Sequence, residues 1–435
     1  MVKMRGFLHC LLASLLLSVA RPLPHPHYGD HDRDHEGHTE EHFHHLHHGK
    51  DESHPDHSQV EDICHKLSPP NADFAFALYK HLNAKAEAES KNVFFSPLGI
   101  STALSLLSMG AKGDTHKQLF QTLGYSDFTS AQVSEAYEHL QHMLSHSQGA
   151  LQLDTGSTLV LQEGFKPTQK YLEDAKHYFQ AEGFTVDFKK QDLALQEINK
   201  YIAKKTHDKI PEVMSSVDSD TLLVLLNYIF FRGKWEKTFD PKDTHKADFH
   251  IDDTTKVTVD MMKRTGRYEY YYDRDNHTAV LMLPYQGNAS MMILLPSKDK
   301  MKHVESILSK DYIRHLHDSL FRSSVDVFMP KFSASGSYSL KEILTEMGVV
   351  AAFSDSADLS GISEEVGLKV SKVSHKAVLN VDEKGTEAAA ATTIEIMPMS
   401  LPDTFVLDRP FLLLIVEEST RSILFMGKVV NPTAS

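Results

Sequence analysis

The amino-acid sequence predicts an α+β fold built around one large core. Three observations carry this. Apolar stripes at helical spacing dominate the first half, unbroken apolar strand-like runs dominate the second, and neither a repeat nor a linker interrupts the chain beyond residue 66. Unbroken apolar strands require sheets covered on both faces. With 41% apolar and 24% charged residues, the 435-residue chain can bury such a core. Its net charge of −14 argues against nucleic acid and anionic membranes as partners, because both need clustered cations.

The elements follow in chain order. Lys3 and Arg5, an apolar stretch from Phe7 to Val19 and the small-x-small site Ser18-Val-Ala20 predict a signal peptide over residues 1–20. The apolar stretch is shorter than the roughly 20 residues a membrane-spanning helix needs. Its removal takes Cys10 away and leaves Cys64 as the one thiol of a secreted chain without an internal disulfide. Residues 21–60 then form an acidic tail with twelve histidines and almost no aliphatic side chains, so it can supply no core. Imidazoles and carboxylates at this density suit weak zinc or copper binding by His31, His35, His38, His42, His44, His45, His47 and His48. The alternative is a merely solvated tail.

From residue 61 to residue 435 the composition is globular. Phe74, Ala77, Leu78, His81 and Leu82 recur at helical spacing, and Cys64 beside His65 reads either as a buried spacer or as a thiol open to exchange. Ser96-Pro97 reads as an N-cap with a first-turn proline, opening an apolar and therefore buried helix through Ile100, Leu104 and Leu107 to Gly110. Thr129 with Gln132 forms a capping box ahead of the stripe Val133, Ala136, Tyr137, Leu140 and Leu144. Strand-like runs follow at Leu222–Phe231, Ala279–Leu283, Met291–Leu295 and Phe411–Val416. Asn276-His-Thr278 and Asn288-Ala-Ser290 are glycan acceptor patterns in polar connections, whereas the proline of Asn431-Pro-Thr433 excludes that one.

One stretch fits none of this. Between Leu379 and Phe411 the chain is too long for an idle loop. Glu387 to Ala391 favours helix, Thr392 to Ile394 favours strand, and Pro398 and Pro402 bar both. Conflicting preferences suit a segment that changes state. Taken alternately, as a strand presents one face, Thr386, Ala388, Ala390 and Thr392 are all small and uncharged, while Glu387, Ala389, Ala391 and Thr393 face the other way. A floppy alanine-rich loop remains the alternative.

The segment Glu383-Lys-Gly-Thr-Glu-Ala-Ala-Ala-Ala391 resembles the hinge of inhibitory serpins, and Phe405 to Ile415 resembles the signature after their reactive loop. Asn92 to Pro97 with Leu104 to Ala111, and Asn227 to Trp235, resemble further serpin blocks, with similarity from about Leu67 to Thr433. Ile396 to Pro402 and Phe425 to Pro432 narrow the resemblance to the secreted clade A members. The resemblance implies three β-sheets, about eight to nine helices and an exposed reactive-centre loop at about residues 383–404. It also implies a monomeric inhibitor that traps serine proteinases as a suicide substrate, needs no cofactor and has no catalytic residues of its own.

By the same resemblance the reactive bond is Met399-Ser400, flanked by Pro398 and Leu401, and the hinge spans Gly385 to Thr392. An unbranched, uncharged Met399 suits elastase-like or chymotrypsin-like pockets. Glu383 is expected to pair with Lys331 near Trp235, and Ser96, Asn227 and His375 to form a polar cluster beneath the strands that must part. Gly99 replaces the serine usual in the family, removing one hydroxyl from that cluster. A non-inhibitory serpin, acting as carrier or chaperone with a metal-binding tail, is the competing reading. A hydrolase is disfavoured, because the chain has neither G-x-S-x-G nor H-E-x-x-H. No large heparin effect is expected, since Gln118 to Gly149 contains no Lys or Arg.

Overall fold

A computed structural model describes residues 57–88, 91–145, 151–385 and 401–434. The signal peptide, the tail histidines, hinge residues Thr386 to Thr392 and Pro398, Met399 and Ser400 lie outside the described residues. Helix α1 (His57–Ala88) opens the described part of the chain. Phe74, Leu78 and Leu82 are buried as expected, but Ala77 is exposed, and Ala75 and Tyr79 take the inward positions instead. The thiol of Cys64 is buried against α4 (Ser130–Ser145), donating to Ala136 O at 3.0 Å with His139 Nδ1 3.3 Å away.

Helix α2 (Pro97–Met109) starts where its cap dictates: Ser96 Oγ accepts from Gly99 N at 2.9 Å, and Pro97 fills the first turn. It is buried on nearly every side. At α4 the capping box is reciprocal, with Thr129 N bonded to Gln132 Oε1 at 2.9 Å and Gln132 N to Thr129 Oγ1 at 3.2 Å.

Two hydrogen-bonded strand networks carry the fold. The first runs β10 (Phe332–Ser339), β11 (Lys372–Val381), β4 (Leu223–Gly233), β2 (Leu151–Gln162), β3 (Glu182–Val186). Strand β2 pairs parallel with β3 across the crossover helix α5 (Gln169–Phe179), so strands already interleave with helices in the first half. Both faces of this sheet are covered. Along β4, Leu223, Leu225, Ile229 and Phe231 enter the main core, whereas Val224, Leu226 and Tyr228 pack under α6 (Gln191–Lys205) with its buried Ala194, Ile198 and Ile202. Burying each such aliphatic side chain contributes about 1.5–3 kcal/mol.

The second network has nine strands: β1 (Val93–Phe95), β14 (Ile423–Val429), β13 (Phe411–Glu417), β8 (Ala289–Pro296), β7 (Thr278–Pro284), β6 (Lys256–Asp273), β9 (Phe321–Pro330) and β12 (Asp403–Val406), with β5 (His245–His250) beside β6. The 18-residue β6 divides its length between partners. Residues 256–270 pair with β5 and β9, while 269–273 pair with β7. Two sheet regions therefore join through one strand. A buried ion pair, Lys428 to Glu305 at 2.8 Å, completes the core, with Tyr79 donating to the same carboxylate at 2.6 Å and Asn83 accepting from Lys428 at 3.0 Å. Among the described residues no helix is long and apolar enough to cross a membrane.

Candidate functional site: a strand seam and the loop root above it

The chemistry centres on the seam between β4 and β11. These strands pair in parallel over eight residues, from Lys372 with Val224 to Leu379 with Phe231. Midway, one rung of polar and aromatic side chains crosses four strands, because Tyr338 is registered with His375, His375 with Asn227 and Asn227 with Ser157. Ser96 N donates to His375 Nε2 at 3.0 Å, so the proton sits on Nδ1, which donates to Asn227 Oδ1 across the seam at 2.8 Å. Asn227 Nδ2 donates in turn to Gly156 O and Ser157 Oγ, both at 3.2 Å. Burial pushes the imidazole pKa down to about 3, which keeps it neutral. Parting the strands must break the His375–Asn227 bond.

The structure thus brings Ser96, Asn227 and His375 together. It adds Ser157 and Tyr338, which only strand register reveals. It also shows how the cluster is satisfied without a hydroxyl at position 99. A Cβ on Gly99 would lie 2.5 Å from Asn227 Oδ1 and 3.2 Å from Ser96 Oγ, so the amide occupies the space a side chain would take. Gly99→Ala is expected to displace Asn227 and cost about 1–3 kcal/mol, seen as a lower guanidinium midpoint. Gly99→Ser should recover part of that loss through a new hydrogen bond; equal midpoints for alanine and serine would contradict this account.

Above the seam lies the root of the loop. Trp235 stacks on Tyr285 with centroids 4.3 Å apart, and its indole Nε1 donates to Asp382 O at 3.0 Å. Glu383 is buried, with Oε2 2.9 Å from Lys331 Nζ and Oε1 accepting from Thr244 Oγ1 at 2.9 Å. Burial alone would raise its pKa, but the hydrogen bonds from Lys331 and Thr244 outweigh that and hold it below the ordinary value. Gly385 forms antiparallel bridges to Lys234, just past β4, and to Asp382, just past β11. Its φ of 103° and a hypothetical Cβ 2.3 Å from Gly233 O leave room for glycine alone. Thr244, Tyr285 and the Asp382 carbonyl lie outside the motifs the sequence displays.

Of the remaining candidates, Leu401 is fully exposed at the start of the segment returning to β12. Asn288 is exposed in the β7–β8 turn, with Nδ2 donating to Glu417 Oε1 at 2.5 Å. Asn276 is half-buried in the β6–β7 turn and donates to Asp273 Oδ2 at 2.8 Å.

A parallel seam crowned by a glycine bonded to both flanking strands, in a mixed α+β core, agrees with what family comparison finds: the family model for serpin (serine protease inhibitor) matches residues 69–432. The chain belongs to the serpin family. Within it, the chain is 56% identical to an alpha-1-antitrypsin homolog of Cyprinus carpio over 340 residues, covering 78% of this chain and 91% of that one. It is 44% identical to alpha-1-antiproteinase 2 of Equus caballus, over 88% of this chain and 90% of that one. Among solved structures, human thyroxine-binding globulin complexed with thyroxine superposes with a TM-score of 0.81 at 40% identity, covering 86% of this chain and 100% of that one. Human glycosylated kallistatin gives 0.80 at 38%, with the same coverage.

Proposed function

We propose that this protein is a secreted serine-proteinase inhibitor that acts by suicide trapping, with Met399-Ser400 as the bait bond and elastase-like or chymotrypsin-like enzymes as targets. The observation that carries this is Gly385, bridged antiparallel to the ends of both β4 and β11. It is the first rung of a strand that would run down the seam antiparallel to each neighbour. Continuing its register puts Thr386, Ala388, Ala390 and Thr392 level with Gly233, Phe231, Ile229 and Asn227 of β4, on the face that meets the main core. Thr392 would arrive at the His375–Asn227 rung. After acylation at Met399, insertion drags the bound enzyme from its position and stalls deacylation. Relatives named antiproteinases support this reading.

Mixing the protein with neutrophil or pancreatic elastase should yield an SDS-stable complex and a released peptide starting at Ser400. Clean cleavage without a complex would favour the second reading, a non-inhibitory carrier, which the likeness to thyroxine-binding globulin supports. Oxidising Met399 to its sulfoxide puts a polar group into an apolar pocket and should abolish most elastase inhibition. Full inhibition after peroxide treatment would remove Met399 from the bait position.

The domain plan accompanies this reading: signal peptide 1–20, histidine tail 21–60, one serpin domain 61–435, acting as a monomer. Asn288, the more exposed acceptor, is the first site expected to carry a glycan. The tail binds zinc or copper weakly and inhibition needs neither; deleting residues 21–58 should remove calorimetric zinc binding.

A further inference from the structure

The large apolar side chains that stand exposed among the described residues are few, and three of them gather in one place. Leu401, Phe321 and Tyr272 are 97%, 57% and 40% exposed. Phe321 opens β9 opposite Tyr270 of β6, two residues before Tyr272. Strand β12 runs parallel along the other side of β9, with Asp403 level with Val325 and Asp403 Oδ2 accepting from Ser323 Oγ at 2.8 Å. Carrying that register back places Leu401 beside Ser323, with Phe321 two residues further on. The Tyr270 ring meets Phe405 of β12 edge-on at 6.4 Å, which fixes this aromatic corner to the strand leaving the reactive loop. Arg322, next to Phe321, is also exposed but lies level with Glu269 on the opposite face of the sheet.

An exposed aromatic pair close to an exposed leucine has the composition of an interface hot spot and not of an ordinary monomer surface. Only three residues separate the bait bond from Asp403, a span of about 10 Å in extended chain. A proteinase domain of about 200–250 residues has a radius of gyration of about 17 Å. An enzyme closed on that bond must therefore cover this corner.

We propose that Phe321 and Tyr272 form a docking surface for the body of the serine proteinase whose cleft holds the reactive loop. This rests on the inhibitory reading above and adds a specificity determinant outside the loop. The surface recognises an enzyme whose primed-side rim offers an apolar ledge. It acts on the rate of encounter and leaves the partition between trapping and cleavage to the loop.

The test compares the intact protein with Phe321→Ala and Phe321→Tyr, using whichever of neutrophil elastase and chymotrypsin the parent traps faster. Phe321→Ala should lower the association rate constant about tenfold, with unchanged inhibition stoichiometry and melting temperature, and Phe321→Tyr should restore the rate. A parent that traps and a Phe321→Ala variant with the parent's rate would overturn the docking surface alone. If that variant instead dissolves a dimer seen by sedimentation while keeping the rate, the patch joins two copies of this chain and the proposal fails. A parent that traps neither enzyme overturns the inhibitory reading and this surface with it.

Discussion

Thr386→Arg is expected to convert the protein from a trap into a substrate. In the register that Gly385 begins, residue 386 would enter the sheet level with Gly233, on the side where Phe231 and Tyr285 crowd the space a Gly233 side chain would take. A guanidinium there has no partner among apolar and aromatic neighbours, and burying an unpaired charge costs several kcal/mol even after relaxation. That cost falls only on the inserting strand, after the bait bond is cleaved. Folding and the attack on Met399 should therefore be unchanged, while insertion becomes slower than deacylation. Inhibition stoichiometry against elastase should rise from about one to more than ten, with cleaved loop accumulating and the covalent band fading. Normal stoichiometry in this variant would show that residue 386 never enters the sheet, and the insertion face would have to be reassigned.

What made that face legible is local. The small alternate residues, the conflicting propensities and the flanking prolines all lie within one stretch, as do the Ser96-Pro97 cap and the Thr129/Gln132 box that mark α2 and α4. The strands β4, β7, β8 and β13 were equally plain, because each is a mainly apolar run, that of β4 interrupted only by Asn227 and Tyr228 before Phe231. Strand β2 and the long β6 were not, since their apolar residues are interspersed with polar and charged residues such as Thr155, Thr158, Lys263 and Arg264. The rung was only half visible. Asn227 stands in a recognisable block and His375 follows from the family resemblance, but Ser157 and Tyr338 join them through strand pairing across residues far apart in the chain, which no local pattern encodes. Gly99 illustrates the same limit, because the consequence of its missing hydroxyl depends on where the Asn227 amide comes to rest.

The rung also makes stability depend on acid, and the sign is fixed by His375. Its pKa in the folded chain is about 3, against an ordinary 6.5, because burial disfavours the imidazolium. Below pH 6.5 the unfolded chain takes up a proton that the folded chain refuses until about pH 3, so stability falls as the pH is lowered through that window and is fully present above it. The contribution is about 2 kcal/mol lost by pH 5 and on the order of 4 kcal/mol by pH 3. An imidazolium has two donors and no acceptor, so it could not receive the Ser96 N–H, and the seam would lose a bond at its midpoint. The guanidinium midpoint should therefore drop between pH 7 and pH 5, and His375→Gln, which lacks the titrating ring, should show a shallower slope despite starting lower. Parallel slopes for the two proteins would place the acid sensitivity elsewhere and leave His375 as a spacer. A shallower slope would identify the bond between β4 and β11 as the point where acid loosens the sheet, the same bond that loop insertion has to break.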